Sequence, residues 1–167
     1  IADIDYSDNI VTLEKLIQIV TNNIISKFGG LERFRSFKVI GGSIFVNGYC
    51  YRCKISKAYA KNIPYDIRRD INSGNISKLF DYSAISSMRN ISDLEFDSVT
   101  FMYDYVSEAL GIRGSISIDK FFEGLPTLRR ITVGKTVFTR DSYRDQLQED
   151  DLFYRPKKAE KIANMAE

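Results

Sequence analysis

The dipeptide Asn47-Gly48 constrains the fold of this chain more than any other feature of its sequence. It lies between two runs rich in β-formers, and it is the preferred pair for a two-residue type I′ hairpin turn, in which both central residues need positive φ. Such a turn predicts a hairpin over about residues 37–57 and fixes its register. One face of this hairpin is expected in the core: Ile40, Gly42, Ile44, Val46, Tyr49, Tyr51, Cys53 and Ile55.

A second hairpin is predicted near the other end of the chain. Two short β-rich runs, Leu128–Val133 and Thr136–Arg140, flank Gly134-Lys135. A glycine at the first central position favours a type II′ turn. In the resulting register Arg129 lies opposite Arg140, and two like charges in directly opposed positions repel each other. A bound anion at that place would relieve the repulsion.

Helical spacing of apolar residues predicts a helix over about 9–28, with Asp8 as N-cap and Gly29-Gly30 as its end. Two further helices are expected over Pro64–Asn72 and Asn75–Met88.

Ser92-Asp-Leu-Glu95 matches a capping box and predicts another helix to about Leu110. A loop or short helix is expected near Ile118–Phe122, and a last exposed helix over 157–165.

These elements predict one α+β domain over residues 1–167, with two antiparallel hairpins (about 37–57 and 128–140) in a small sheet packed against three to four helices. Residues 141–167 are expected to form a charged C-terminal extension. The first residue is Ile1 rather than Met, so we expect a piece excised or processed from a longer protein. The sequence contains neither a long apolar run nor a signal-peptide pattern, which favours an intracellular, cytoplasmic protein that does not enter membranes.

Charge is distributed unevenly along the chain. The net charge is −3 over residues 1–26, +8 over 27–69, −5 over 70–110 and +2 over the remainder, although the whole chain carries only +2. The basic residues concentrate around the first hairpin and recur on the second, where they could neutralise phosphates. The predicted phosphate-contacting residues are Arg33, Arg35, Lys38, Arg52, Lys54, Lys57, Lys61, Arg129, Arg130, Lys135 and Arg140. Phe45 and Tyr59 are the candidates for stacking on bases.

We therefore expect a non-catalytic domain that binds either the phosphate backbone of a nucleic acid or an acidic surface of another protein. The alternative is a structural or assembly subunit in a larger complex, in which the basic sheet of one copy meets the acidic segment of the next. The blandest interpretation is that each charged run is a solvated face, or that the acidic segment neutralises the basic hairpin within one molecule. Abundant Ile, Asn, Ser, Lys and Tyr without Trp or His is typical of an AT-rich gene, and a viral or phage source fits that composition.

Chemical motifs argue against an enzyme, and neither a cofactor nor a metal is predicted. The chain has no histidine, which removes the usual catalytic triads and histidine-ligated zinc sites. Cys50 and Cys53 have CxxC spacing, but on a strand their sulfurs point to opposite faces, so we expect one buried and one exposed thiol. Gly134-Lys-Thr136 lacks the earlier glycine of a phosphate-binding loop, since position 129 is Arg.

Overall fold

The computed structural model describes residues 2–4, 12–97 and 115–146 of the 167-residue chain. It has the α+β class that the sequence predicts. The strands of the described residues are β1 (Ala2–Ile4), β2 (Ser36–Ile40), β3 (Ser43–Val46), β4 (Tyr49–Cys50), β5 (Cys53–Ile55), β6 (Asp93–Phe96), β7 (Arg130–Val133) and β8 (Thr136–Thr139). Its α-helices include α1 (Leu13–Lys27), α2 (Lys57–Ala60), α3 (Tyr65–Asn72) and α4 (Ser115–Gly124). Short 3₁₀-helices cover Leu31–Arg33, Ser77–Leu79 and Tyr82–Ser87.

The main sheet has six strands in the order β4-β3-β2-β6-β7-β8. β6 is parallel to both of its neighbours, β2 and β7, whereas the outer pairs are antiparallel. A separate two-stranded parallel sheet joins β1 to β5. The prediction of two antiparallel hairpins in a small sheet was therefore wrong in its architecture, because a strand that was not predicted lies between the hairpins and makes the sheet mixed.

That strand, β6, begins in the segment that matches a capping box. The backbone N–H groups of Ser92 and Asp93 donate to the carbonyl oxygen of Arg35, at 2.7 and 3.1 Å, and so belong to the sheet ladder rather than to a helix cap. Leu94 and Phe96 are buried, whereas Asp93 and Glu95 are half-buried, which is the alternation of a strand. The prediction of a helix from residue 93 was wrong. Its remainder, from residue 98 to Leu110, lies outside the described residues.

The turn at Asn47-Gly48 is confirmed, with φ values of 53° and 84°, and Val46 pairs with Tyr49 as predicted. The strand before it is interrupted, however, by a second two-residue turn. Gly41 and Gly42 have φ values of 60° and 82°, so the chain reverses there and β2 pairs with β3. The predicted pairings of Ile40 with Ile55 and of Gly42 with Cys53 were therefore wrong.

The second hairpin is confirmed, because β7 and β8 pair in antiparallel fashion on either side of Gly134-Lys135. Gly134 has a φ of 62°, as a type II′ turn requires at its first central position.

The predicted first helix is α1, which begins after Thr12. The Thr12 hydroxyl oxygen accepts a hydrogen bond from the Lys15 N–H at 3.1 Å. Asp8, the predicted cap, lies outside the described residues. The helix ends where predicted, since the Gly30 N–H donates back to the Ile25 carbonyl oxygen at 2.8 Å.

α3 also begins and ends as predicted, after Pro64 and before Ser73-Gly74. The helix expected over Asn75–Met88 is replaced by the two 3₁₀-helices, so that prediction was wrong. α4 confirms a short helix near Ile118–Phe122. The helix expected over 157–165 lies outside the described residues.

One hydrophobic core connects the main sheet with the helices. Alternate residues of the strands point into it, among them Phe37, Ile44, Leu94, Phe96 and Ile131, all fully or almost fully buried. Burial of side chains of this size contributes about 1.5–3 kcal/mol each before the entropy of ordering is counted. The opposite face of the sheet carries the intervening residues. Within the described part of the chain, no helix is long and apolar enough to cross a membrane.

Candidate nucleic-acid interface

A row of backbone hydrogen bonds crosses the sheet at the amino ends of its parallel strands. The Arg35 carbonyl accepts from Ser92, the Ser92 carbonyl accepts from Arg129 at 2.8 Å, and the Arg129 carbonyl accepts from Arg140 at 3.0 Å. Residues 35, 92, 129 and 140 are therefore neighbours on four adjacent chain segments. Since strands are about 4.8 Å apart, the backbones of Arg35 and Arg129 lie about 10 Å from each other. The two predicted basic hairpins meet at this edge.

The side chain of Asn47 fixes the segment that carries the first arginines of this row. Its Oδ1 accepts from the N–H groups of Arg35 and Ser36, at 2.7 and 3.1 Å, and its Nδ2 donates to the Arg33 carbonyl at 3.0 Å. The turn residue therefore also holds residues 33–36 in place. Such bonds order the backbone before any ligand binds, which lowers the entropic cost of binding.

We define the amino-end surface as the exposed arginines at this edge. Arg33 and Arg35 precede β2, Arg89 precedes β6, and Arg129 precedes β7. Arg89 is joined to the loop before β7, since the Thr127 hydroxyl donates to its carbonyl at 3.0 Å. In residues 12–97 and 118–146, none of the four guanidinium groups forms an ion pair. Their charges are therefore available to a ligand.

Three other predicted phosphate-contacting residues are bonded within the fold. Lys38 Nζ lies 3.4 Å from Glu95 Oε1, and Arg130 Nε lies 2.8 Å from Asp93 Oδ1. The Arg140 guanidinium donates from Nε to the Leu128 carbonyl at 2.8 Å and from Nη2 to the Leu125 carbonyl at 2.6 Å. Arg140 does lie opposite Arg129, but because its guanidinium turns towards these carbonyls, the two charges need no anion between them. That part of the hypothesis is withdrawn.

The remaining predicted cations lie elsewhere. Arg52, Lys54, Lys57 and Lys61 are exposed and follow the first hairpin, on and around β5 and α2. Lys135 is exposed in the turn between β7 and β8, at the opposite end of the sheet from the amino-end surface. The predicted set therefore occupies four places and not one continuous face: the amino-end edge, the sheet face opposite the core, the region of β5 and α2, and the turn between β7 and β8.

The two predicted stacking residues differ in their access to solvent. Phe45 is half-buried on the sheet face opposite the core, where it pairs with Lys38 and Cys50. Tyr59 is only 1% exposed, because α2 turns its ring into the core, and a base could not reach that ring without moving the helix. Two tyrosines that the sequence argument did not select are far more exposed, Tyr49 at 71% and Tyr65 at 67%. Tyr49 was assigned to the core by alternation, but β4 is a two-residue edge strand of the main sheet.

The CxxC segment lies beside buried polar groups. The Tyr51 hydroxyl donates to Asn23 Oδ1, and burial raises the pKa of Tyr51 above its ordinary value. Burial also raises the pKa of the Cys53 thiol to about 11, so this thiol is protonated at neutral pH. Cys50 is half-buried and both cysteines are free. No group of three or more His, Cys, Asp or Glu in the described residues could hold a metal ion.

The opposite end of the sheet has a different charge. A cleft of about 470 Å³ lies beside Gly41 and Gly42 and is lined by Asp66, Asp70 and Lys78, among others. Asp97 lies at the same end, where its Oδ2 accepts from the Gly41 N–H at 2.7 Å. Ligands of open α/β sheets commonly bind at the carboxyl ends of the strands, but carboxylates outnumber cations here, and they would repel a polyanion. The positive end is therefore the candidate interface.

No family model matches this chain, and no curated protein or solved structure is significantly similar to it.

Proposed function

We propose that this chain is a non-catalytic nucleic-acid-binding domain whose amino-end surface contacts the phosphate backbone. The observation that carries the proposal is the placement of Arg35 and Arg129, which come from different hairpins, in one row across the sheet without a carboxylate partner among the described residues. Guanidinium groups bind phosphate oxygens through two parallel hydrogen bonds and are the usual choice for such contacts.

The number of arginines sets the expected salt dependence. Four guanidinium groups on four phosphates would give a slope of log K against log salt of about −3 to −4 on a duplex, and slightly less on a single strand. Phosphate contacts position a nucleic acid without reading its sequence, so we expect little sequence preference from this surface alone.

The direct test is fluorescence anisotropy with labelled oligonucleotides across a salt series. We expect Arg35→Glu with Arg129→Glu to weaken binding by more than about tenfold, since two attractive contacts become repulsive. Lys78→Glu with Lys135→Glu is the matched control, because it makes the same change in net charge at exposed positions at the opposite end of the sheet. Equal losses in both variants, or no binding by the wild type at low salt, would contradict the proposal.

A second candidate function, a subunit in a larger assembly, has one observation in its favour. The sheet face opposite the core has its charges neutralised in pairs, Lys38 with Glu95 and Arg130 with Asp93. The same face exposes Ile40 and Val137, at 39% and 42%. Neutral, partly apolar surface of this kind favours protein contacts. Sedimentation would support assembly if the protein self-associates without nucleic acid and Val137→Lys prevents it.

We propose that the protein acts in the cytoplasm. Two free thiols persist most readily in a reducing compartment. A viral or phage source, which the composition favours, would make the host cytoplasm the site of action.

A further inference from the structure

The helix α3 separates its charged side chains by face. Ile71 is buried and Ile67 packs against the core. Asp66 and Asp70, one turn apart, line the acidic cleft beside Gly41-Gly42. A different groove runs along the outer face of the helix. It is lined by Tyr65, Arg68, Arg69, Asn72 and Ser73.

This outer groove combines an exposed ring with cations. It is open, with a volume of about 370 Å³, and no carboxylate of the described residues lines it. The guanidinium carbons of Arg68 and Arg69 lie 5.5 and 6.0 Å from the centroid of the Tyr65 ring, within the range of a cation–π interaction. The ring is nevertheless 67% exposed, so it can accept a flat partner.

A third cation lies near the end of the groove. Arg52 Nη1 is 3.7 Å from the position that a side-chain carbon on Gly74 would occupy, so its guanidinium lies beside the residue that follows Ser73. Three guanidinium groups therefore line or adjoin a groove that also contains an aromatic ring and the amide of Asn72. The ring offers a stacking surface, the cations match phosphates, and the amide can bond a base edge.

We infer that the α3 groove binds an unpaired segment of single-stranded nucleic acid, with a base stacked on Tyr65 and flanking phosphates on Arg52, Arg68 and Arg69. The inference rests on the proposed function, since it assigns the class of nucleic acid that the domain prefers. Bases within a duplex already stack on their neighbours, so an exposed tyrosine gains nothing from them. An acidic peptide would satisfy the arginines but would make no use of the ring.

The test compares Tyr65→Ala with Tyr65→Phe, both at an exposed position where the fold is expected to tolerate the change. The probes are an oligothymidylate of about a dozen nucleotides, within the usual site size, an abasic oligomer of the same length, and a duplex. We expect Tyr65→Ala to weaken oligothymidylate binding about tenfold, because it removes the ring on which one base stacks. Tyr65→Phe keeps the ring, so its affinity for oligothymidylate should stay within about twofold of the wild-type affinity. For the abasic oligomer and the duplex, the affinities of both variants should also stay within about twofold of the wild-type values.

The outcomes separate this inference from the proposed function. If the wild type binds the probes and Tyr65→Ala binds oligothymidylate with the wild-type affinity, the inference is overturned, whereas the proposal for the amino-end surface is unaffected. Equal losses by Tyr65→Ala on all three probes would overturn it too, because they indicate an effect on charge or folding rather than on stacking. Polyglutamate that displaces labelled oligothymidylate as effectively as unlabelled oligothymidylate does would identify a site that recognises charge only, and would also overturn the inference. If the wild type binds none of the probes, the proposed function fails and takes this inference with it.

Discussion

The hairpins β2–β3 and β7–β8 lie on either side of β6, and the first strand of each hairpin is parallel to β6. In both hairpins the turn begins with a glycine. Each is preceded by an exposed arginine at the amino end of the sheet, Arg35 in one case and Arg129 in the other. The second hairpin also carries Arg130 and Arg140, and both of these are bonded to groups of the same molecule.

This difference shows that the number of cations on a hairpin does not measure the charge that a ligand can use. Lys38 on the first hairpin and Arg130 on the second bind carboxylates of β6. Arg140 contributes to stability through two main-chain carbonyls. Among the described cations of these hairpins, the arginines that precede the strands form no ion pair, whereas Lys38 and Arg130 on the face of the sheet do. The candidate interface therefore lies at the edge of the sheet and not on its face.

The largest expected effect is a loss of stability at high pH, and it comes from the side of the sheet that carries the first hairpin. The first hairpin leads into the buried Tyr51 and Cys53, whose pKa values are both raised by burial. The folded protein keeps the Cys53 proton up to about pH 11, whereas the unfolded chain loses it near pH 9, so the free energy of unfolding should fall between these values. The expected loss is about 2–3 kcal/mol, and ionisation of Tyr51 in the unfolded chain adds to it.

Urea unfolding at a series of pH values measures this loss. Cys53→Ala is the control, since it removes one titrating group and should flatten the decline above pH 9. A stability that stays constant up to pH 11 in the wild type would contradict the prediction.

The next largest effect should be the difference in stability between replacing Arg140, which is bonded within the fold, and replacing Arg35, which belongs to the amino-end surface. Arg140→Ala leaves the carbonyls of Leu125 and Leu128 without their donor, and we expect the free energy of unfolding to fall by about 2 kcal/mol. Arg35→Ala should change it by about 0.5 kcal/mol or less, because that side chain is exposed and, within the described part of the chain, bonds only the Glu32 carbonyl. Chemical denaturation of both variants provides the comparison. Equal effects on stability would mean that the arginines are not divided as described.

Alanine substitutions at the turn glycines should differ in their cost to stability by a smaller amount. Alanine at Gly41 or Gly134 costs about 1 kcal/mol for positive φ alone, because no atom lies nearer than 3.9 Å to the new carbon. At Gly42 the same carbon would meet Asn75 Oδ1 at 2.8 Å, which should add about 1 kcal/mol. Thermal unfolding of the three variants tests this order. In an Asn75→Ala background the extra cost of Gly42→Ala should disappear, and its persistence would refute the steric explanation.

The ion pairs that join each hairpin to β6 should contribute least. A double-mutant cycle on Lys38 and Glu95 or on Arg130 and Asp93 should give a coupling energy of about 0.5 kcal/mol, since both pairs are partly exposed. The Arg130 pair should be the stronger of the two because its atoms lie at hydrogen-bond distance. Both couplings should weaken in high salt, and a coupling that does not depend on salt would indicate packing instead.

The parts of the fold that local chemistry determines were predictable from the sequence. The turn at Asn47-Gly48, the end of α1 at its glycine pair and the limits of α3 depend on residues a few positions apart. β6 was not predictable in this way, because its identity as a strand depends on partners far along the chain. The residues of a capping box are the same whether its N–H groups donate to side chains at the start of a helix or to the Arg35 carbonyl in a sheet, so this pattern could not identify the strand.

The candidate site was predictable only in outline. The concentration of charge over residues 27–69 indicated a polyanion partner, and Arg33, Arg35 and Arg129 were among the predicted residues. The sequence could not distinguish Arg129 from Arg130, its neighbour, because the difference lies in Asp93, which is 37 residues away. Nor could it separate the exposed Tyr65 from the buried Tyr59, since that depends on how α2 and α3 pack.

The position of β6 also has a consequence for how the chain assembles. Bonds of β6 and of the residue that follows it connect Asp93 with Arg130, 37 residues apart, and Asp97 with Gly41, 56 residues apart. Each hairpin can therefore form early while the sheet closes late. Until β7 has been synthesised and docked, β6 would present an open edge that can pair with another chain. A fragment ending at Asp97 should therefore aggregate, and supplying residues 98–146 in trans should suppress it.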